Sequence, residues 1–204
     1  MERLFINLEN EVLHGNVLDV GSENYGIVYE LCKKKNKNIS DVNYVSGREQ
    51  REYIGKNSYD SCVSFFSLKD LRTDRDKKKF FWDMYSFMKD NAVLYLWDVD
   101  KSIFQTFRRS IRIVLPGAKI KDIEVNDFNV LSNNSCKKIC NMMSQYFKII
   151  DVKCSNDLYY IKAEKKEGNF NEKSTSYSNK FSIYTQQLGS EIFKGIRKGI
   201  RLAN

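Results

Sequence analysis

Apolar and polar residues change period several times along the chain, and those changes divide it into elements. At the start, Leu4, Phe5, Leu8 and Val12, with Leu13 alongside, fall at helical spacing and predict a short N-terminal helix over residues 1–13, closed by the turn His14-Gly15-Asn16. Val17-Leu18-Asp19-Val20 then reads as a short strand running into Gly21. Residues 24–35 suit a helix, with Ile27, Val28 and Leu31 on one side and lysines at its end. Val42-Asn43-Tyr44-Val45 predicts a second strand. Tyr59 to Phe66 predicts a third, apolar enough to be buried on both faces. A stripe of Phe80, Phe81, Met84, Tyr85 and Met88 predicts a helix over 77–88, and Ala92 to Trp97 a strand ending at Asp98.

Beyond Asp98 the pattern loosens. Residues 101–135 exceed one crossover, and the two apolar runs that flank Pro116-Gly117-Ala118-Lys119 signal a hairpin. A helix near 136–146 follows, then strands over 147–152 and 158–163 joined by Ser155-Asn156-Asp157. Strands alternating with helices predict a doubly wound, mostly parallel α/β sheet. From 167 to 180 the chain is polar and rich in serine, asparagine and glycine, as a linker is. Phe181, Tyr184, Leu188, Ile192, Ile196 and Ile200 then share one helix stripe, with Lys194, Arg197, Lys198 and Arg201 around its end. That predicts a basic amphipathic helix over 181–204. Gly189, Gly195 and Gly199 weaken it in isolation, so it needs a surface to fold against. Docking on the core or pairing of two subunits through 181–202 is the favoured use.

Composition narrows the picture. The 204 residues carry 42% hydrophobic residues, too many for a disordered chain, and no apolar run approaches the roughly 20 residues that span a bilayer. Glu2, Glu9, Glu11 and Asp19 do not fit a secretory signal, so a soluble, cytoplasmic protein is expected. The net charge of +8 permits a nucleic-acid or other anionic partner. No stripe of aromatic and basic residues dominates the first 165 residues, so nucleic acid is not favoured. Five cysteines, an odd number, read as reduced thiols; with His14 as the sole histidine, no zinc set is expected.

The informative stretch is Val17-Leu18-Asp19-Val20-Gly21-Ser22-Glu23-Asn24-Tyr25-Gly26, a strand, a turn and a helix start. Free helix N–H groups and close backbone approach at glycine make such turns ligand sites. It resembles the first motif of class I S-adenosylmethionine-dependent methyltransferases. Tyr59-Asp60 leading through Ser64-Phe65-Phe66-Ser67-Leu68 resembles that family's fourth-strand motif. Met88 to Leu96 resembles the next strand, and 147–163 its closing antiparallel hairpin. Residues 17–163 carry the resemblance. It implies a Rossmann-like domain over 1–166, with 101–135 as a substrate-cover insertion. The implied cofactor is S-adenosylmethionine, held by Asp19, Gly21, Ser22, Glu23, Gly26, Ser46, Glu49, Ser64, Phe65 and Phe66. The acceptor it implies is a small molecule.

The chain departs from that family in three ways. Glu23 and Tyr25 stand where further glycines are usual. Ser46 and Gly47, with Glu49 nearby, stand where a carboxylate usually ends the second strand. Only about fifteen residues separate that strand from Asp60, leaving no room for one edge strand. Glu23 also selects the ligand: it takes the place of the middle glycine of the dinucleotide fingerprint, adds bulk and repels phosphate. S-adenosylmethionine carries a sulfonium and an ammonium instead. The same departures support a rival from another class, a non-catalytic interaction or regulatory module on this fold.

With one proline, Pro116, the chain lacks the Pro-Pro-aromatic motif of adenine and glutamine amino-methyltransferases and the Pro-Cys nucleophile of cytosine-C5 enzymes. Asp70, Asp98, Asp100 and His14 are candidate bases, though residues in such places are more often ordinary loop, cap or turn residues. Phe104, Phe107, Arg108, Arg109 and Arg112 suit either an anionic acceptor or the solvated basic face of a helix.

Overall fold

The described residues form two sheets rather than one. In a computed structural model, residues 3–21, 23, 25–35, 42–44 and 54–168 are described. In chain order the strands and helices are β1 (Arg3–Asn7), β2 (Val17–Asp19), α1 (Ile27–Lys35), β3 (Val42–Tyr44), β4 (Tyr59–Phe65), α2 (Asp74–Phe87), β5 (Met88–Val99), β6 (Phe107–Leu115), β7 (Lys119–Asp127), α3 (Cys136–Met143), β8 (Phe147–Ser155) and β9 (Leu158–Lys165). The larger sheet has the order β3-β2-β4-β5-β9-β8. Its first four strands are parallel, β9 is antiparallel to β5, and β8 is antiparallel to β9. A mostly parallel sheet with one reversed strand was the expected class. Among the described residues β3 is an edge of this sheet.

Alternation along the strands feeds two cores. Leu18, Cys62, Leu94, Leu96, Ile161 and Ala163 point to one face, where Phe80, Phe81 and Met84 of α2 and Ile139 and Met143 of α3 cover them. Val17, Val63, Phe65, Tyr95, Trp97 and Val99 point to the other, where Ile27, Val28 and Leu31 of α1 lie. The helix α2 starts where Thr73 and Asp76 form a reciprocal capping box. It runs directly into β5, whose first residue Met88 donates its N–H to the Met84 carbonyl.

The second face is completed by a three-stranded sheet of order β1-β6-β7. Here the expectation for residues 1–13 is corrected. Arg3–Asn7 is a strand, parallel to β6, with Leu4 inward and Phe5 outward at 67% exposure. The helical spacing in the sequence arises because Leu8 and Leu13, buried beyond the strand's end, join the same core as Leu4. The segment read alternatively as a basic helix is also a strand. In β6, Phe107 and Ile111 are buried, Arg108 is exposed, and Arg112 forks onto Asp122 across the hairpin at 2.8 Å. All five cysteines are free thiols. No helix among the described residues is long and apolar enough to cross a membrane. The expected helix over 181–204, and the linker beyond Gly168, lie outside the described residues.

Candidate functional site

Strand order reverses between β2 and β4: the chain steps outward from β2 to β3, then returns to β4 and continues to β5. In sheets of this kind the crevice at such a reversal, beyond the C-terminal strand ends, takes the ligand. Asp19 ends β2 there, and the turn to α1 follows. Gly21 is buried; a Cβ on it would lie 3.1 Å from Ser67 Oγ, so a side chain here would press on that hydroxyl. Gly26 adopts φ 64°, the left-handed conformation that glycine takes at least cost, just before α1 begins.

Residues after β4 form the opposite wall. Phe66 is buried and holds φ 52°, an uncommon backbone conformation for an aromatic residue, while its N–H donates to the Trp97 carbonyl. Below it, the buried Ser64 hydroxyl donates to Ser67 Oγ at 3.0 Å, and the Ser67 hydroxyl faces the carbonyls of Val20 and Phe65 at 3.1 and 3.2 Å. That serine pair ties the end of β2 to the end of β4. Asp98, fully buried at the end of β5, accepts the N–H groups of Leu68 and Val99 at 2.9 and 2.8 Å.

The electrostatics of this edge are unusual. Burial pushes the Asp19 carboxyl up to about 7. Burial does the same to Asp98, also to about 7, against the two backbone amides that favour its anion. Glu23 behaves differently. Burial opposes its charge, but the Tyr25 hydroxyl, which donates to Glu23 Oε2 at 2.5 Å, and Lys69, 3.3 Å from Oε1, outweigh it and hold the carboxyl below its usual value. Lys69 in turn is desolvated, yet Asp70 and Glu23 keep its pKa above the ordinary lysine value. Tyr25 also meets Phe66 edge to face, ring centroids 6.3 Å apart. Asp19, Glu23, Tyr25 and Phe65 thus line a narrow crevice too tight for a water molecule, with Glu23 held by Tyr25 and Lys69.

A second space lies on the far side of an aromatic wall. Phe65 stacks on Trp97 at 4.5 Å and 10°, and Trp97 meets Tyr160 at 4.7 Å. Beyond them, a solvent-open cleft of about 160 Å3 is lined by β1, Trp97, Lys153, Leu158 and Tyr160. Lys153 sits 5.5 Å from the Tyr160 ring centroid, and Tyr160 donates its hydroxyl to Glu11.

The structure therefore brings together Asp19, Gly21, Glu23, Gly26, Ser64, Phe65 and Phe66. Ser22, Ser46 and Glu49 lie outside the described residues. Asp98 and Asp100 spend carboxylate oxygens on backbone amides, Asp100 at the Cys136 N–H that opens α3. Asp70 pairs with Lys69. His14 precedes β2 and so lies at the opposite edge of the sheet from the site. Sequence reasoning missed the part played by Tyr25 and Lys69: nothing in the spacing of a loop predicts that Lys69, from after β4, reaches back to Glu23. Ser67 was legible only as a member of the Ser64-Phe65-Phe66-Ser67 run.

No family model matches the chain, and no curated protein matches it. Among solved structures, the chain is similar to a protein of Pyrococcus horikoshii OT3 at 14% identity and TM-score 0.48, over 78% of this chain and 86% of that one. It is similar to a candidate type 11 methyltransferase from Sulfolobus solfataricus at 14% identity and TM-score 0.44, over 79% and 90%. A third, at 8% identity and TM-score 0.38 over 57% and 48%, is 1,6-didemethyltoxoflavin-N1-methyltransferase of Burkholderia thailandensis, solved with 1,6-didemethyltoxoflavin and S-adenosylhomocysteine.

Proposed function

We propose that this chain binds S-adenosylmethionine at the β2–α1 turn and transfers its methyl group to a small-molecule acceptor. One observation carries the reading: two carboxylates, Asp19 and Glu23, line the crevice at the strand-order reversal of a mostly parallel sheet. A site with that charge repels phosphate and suits a cation. Asp19 fits in particular, because a half-buried, desolvated carboxyl held up to about 7 gives up its proton when a positive group arrives beside it. When bound, S-adenosylmethionine supplies an electrophilic methyl group.

The chain's own residues would hold and shield. Gly21 admits a ligand close to the backbone, and Glu23 is placed to face an ammonium. Phe65 and Phe66 form a dry wall. The cleft beyond the Phe65–Trp97 stack is the acceptor space in this reading. It opens to solvent and holds about 160 Å3, below the roughly 300–1,000 Å3 of clefts that enclose a whole ligand, so it would take a small acceptor or part of one, against Leu158 and Tyr160. Transfer to an acceptor bearing a free lone pair needs alignment and exclusion of water rather than a base. The carboxylates tied to backbone amides are consistent with such chemistry.

The crevice as it stands has no room for a water molecule, so Tyr25 has to swing away for a ligand to enter. That closure is the observation favouring the second reading, a non-catalytic module on the same scaffold. Calorimetric titration with S-adenosylmethionine and S-adenosylhomocysteine decides between them. Saturable heat with either supports the enzyme reading; no heat from either at millimolar concentration removes it and leaves the non-catalytic module.

A further inference from the structure

The two most exposed large apolar side chains among the described residues lie on two loops at the ligand-side edge of the sheet. Phe104 is 80% exposed and Leu131 75%, with Phe128, Ile103 and Val130 beside them. The loops are joined: the Phe104 N–H donates to the Val130 carbonyl at 2.7 Å. Phe104 holds φ 66°, so an aromatic side chain is kept outward at a backbone conformation it seldom adopts.

The base under these tips is rigid and polar. Lys101 and Asp127, both nearly inaccessible, pair at 3.0 Å, and Lys101 also donates to the Asn129 carbonyl. Asn134 donates to Asp127, and Lys77 of α2 donates to Ser132 Oγ and the Asn133 carbonyl. A loop pair tied down so thoroughly by buried polar contacts, yet turning five large apolar groups to solvent, is built to present them.

Charge says what they are presented to. Residues 101–110 and 128–150 contain no aspartate or glutamate, while they contain Arg108, Arg109, Lys137, Lys138 and Lys148. Most carboxylates of neighbouring elements are engaged: Asp157 faces Arg109 at 3.9 Å, Asp74 binds Lys138 at 2.7 Å, Asp100 accepts from the Cys136 N–H, and Asp127 is in the buried pair; Glu124 of β7 is exposed, on the hairpin face that carries Arg108. Arg108 and Lys137 are exposed and form no ion pair among the described residues. Apolar tips with Arg108 and Lys137 on the elements that follow them complement an anionic lipid surface. There the apolar groups enter the boundary between headgroups and acyl chains and the cations meet lipid phosphates.

We infer that the loops 102–106 and 128–131 dock this protein reversibly on anionic membrane surfaces. The inference stands whether or not the chain transfers methyl groups. The loops leave the same edge of the sheet as the cleft beside Trp97, so docking holds that cleft at the interface.

Sedimentation of the full chain with phosphatidylcholine vesicles, with and without phosphatidylserine, is the test. The expected result is co-sedimentation with the serine-lipid vesicles that weakens as salt rises. A Phe104→Asn, Leu131→Ser variant, chosen because asparagine tolerates the left-handed backbone at 104, lowers partitioning about tenfold or more with an unchanged circular dichroism spectrum. Failure of the natural chain to bind overturns the inference. So does binding that the double variant leaves intact, which would assign it to the basic stretch 181–204. A natural chain that dimerises through the patch, with a monomeric variant, also overturns it in favour of a second copy as the occupant.

Discussion

Replacing Tyr25 by phenylalanine tests whether the β2–α1 turn is held shut by its own side chains. The substitution deletes one hydroxyl, the donor to Glu23 Oε2 at 2.5 Å, and leaves the ring on Phe66. A hydrogen bond to a charged group contributes roughly 1.5–3 kcal/mol. The Glu23 side chain is 52% exposed, so water competes and the lower end, about 1.5 kcal/mol, applies. The remaining Lys69–Glu23 pair, at 3.3 Å, adds at most about 1 kcal/mol to closure. If closure must be undone before a ligand enters, its loss returns as affinity, and S-adenosylhomocysteine binds Tyr25→Phe about tenfold more tightly. Calorimetry reads the affinity, and urea unfolding reads the matching loss of stability in the ligand-free protein. Equal or weaker binding by the variant refutes the argument, because Tyr25 would then be a bystander or itself a ligand contact.

Other substitutions probe the groups around that turn. The folded-state pKa of Asp19 lies above its ordinary value, so the native chain keeps a proton that the unfolded chain releases; stability is greatest below 3.8 and falls as pH rises to about 7. Asp19→Asn removes its share of that slope, at most roughly 4 kcal/mol, and leaves the part due to Asp98, as urea unfolding on either side of the window would record. The same variant weakens S-adenosylhomocysteine binding most above about 7, where the natural carboxyl is ionised. Lys101→Met strands a buried Asp127 carboxylate and lowers unfolding free energy by about 3–5 kcal/mol, whereas Lys101→Met with Asp127→Leu recovers most of it. Thr73→Ala breaks the capping box of α2 and costs about 1 kcal/mol in thermal unfolding.

What the sequence revealed follows the range of the interactions involved. The central strands and α2 are continuous apolar runs or stripes, so their periodicity carries the information locally: Tyr59–Phe65 is buried almost throughout, and Phe80, Phe81 and Met84 share a face. The hairpin around Pro116 was legible for the same reason. Its third strand was not. Arg3–Asn7 pairs with residues more than a hundred positions away, and its five residues hold too few alternations to outweigh the helical spacing that Leu8 and Leu13 add. The turn itself was legible in Asp19, Gly21 and Gly26, because strand, glycine and helix start are adjacent. Its closure was not, because it depends on Lys69 arriving from after β4 and on a hydrogen bond between two side chains of the same loop.

The hairpin read from sequence as an insertion joins β1 in a sheet that meets both the turn and the cleft. Lys121 of β7 donates to the Tyr25 carbonyl, and Lys119 binds Glu30 at 2.5 Å, so β7 fastens the turn and the first turn of α1. Leu4, Phe5 and Ile6 of β1, at the other side of the same sheet, form a wall of the cleft beside Trp97. The two apolar loops flank the hairpin between them, one leading into β6 and one leaving β7. A cover merely laid over a finished domain would contact one face at one place. Here β6, between β1 and β7, joins the wall of the cleft to the lysines that hold the turn. The same strands bury Ile111, Ile113, Ile123 and Val125 in the second core. The hairpin is therefore part of the framework that sets the spacing between crevice and cleft, and its removal would open the second core as well as unroof the site.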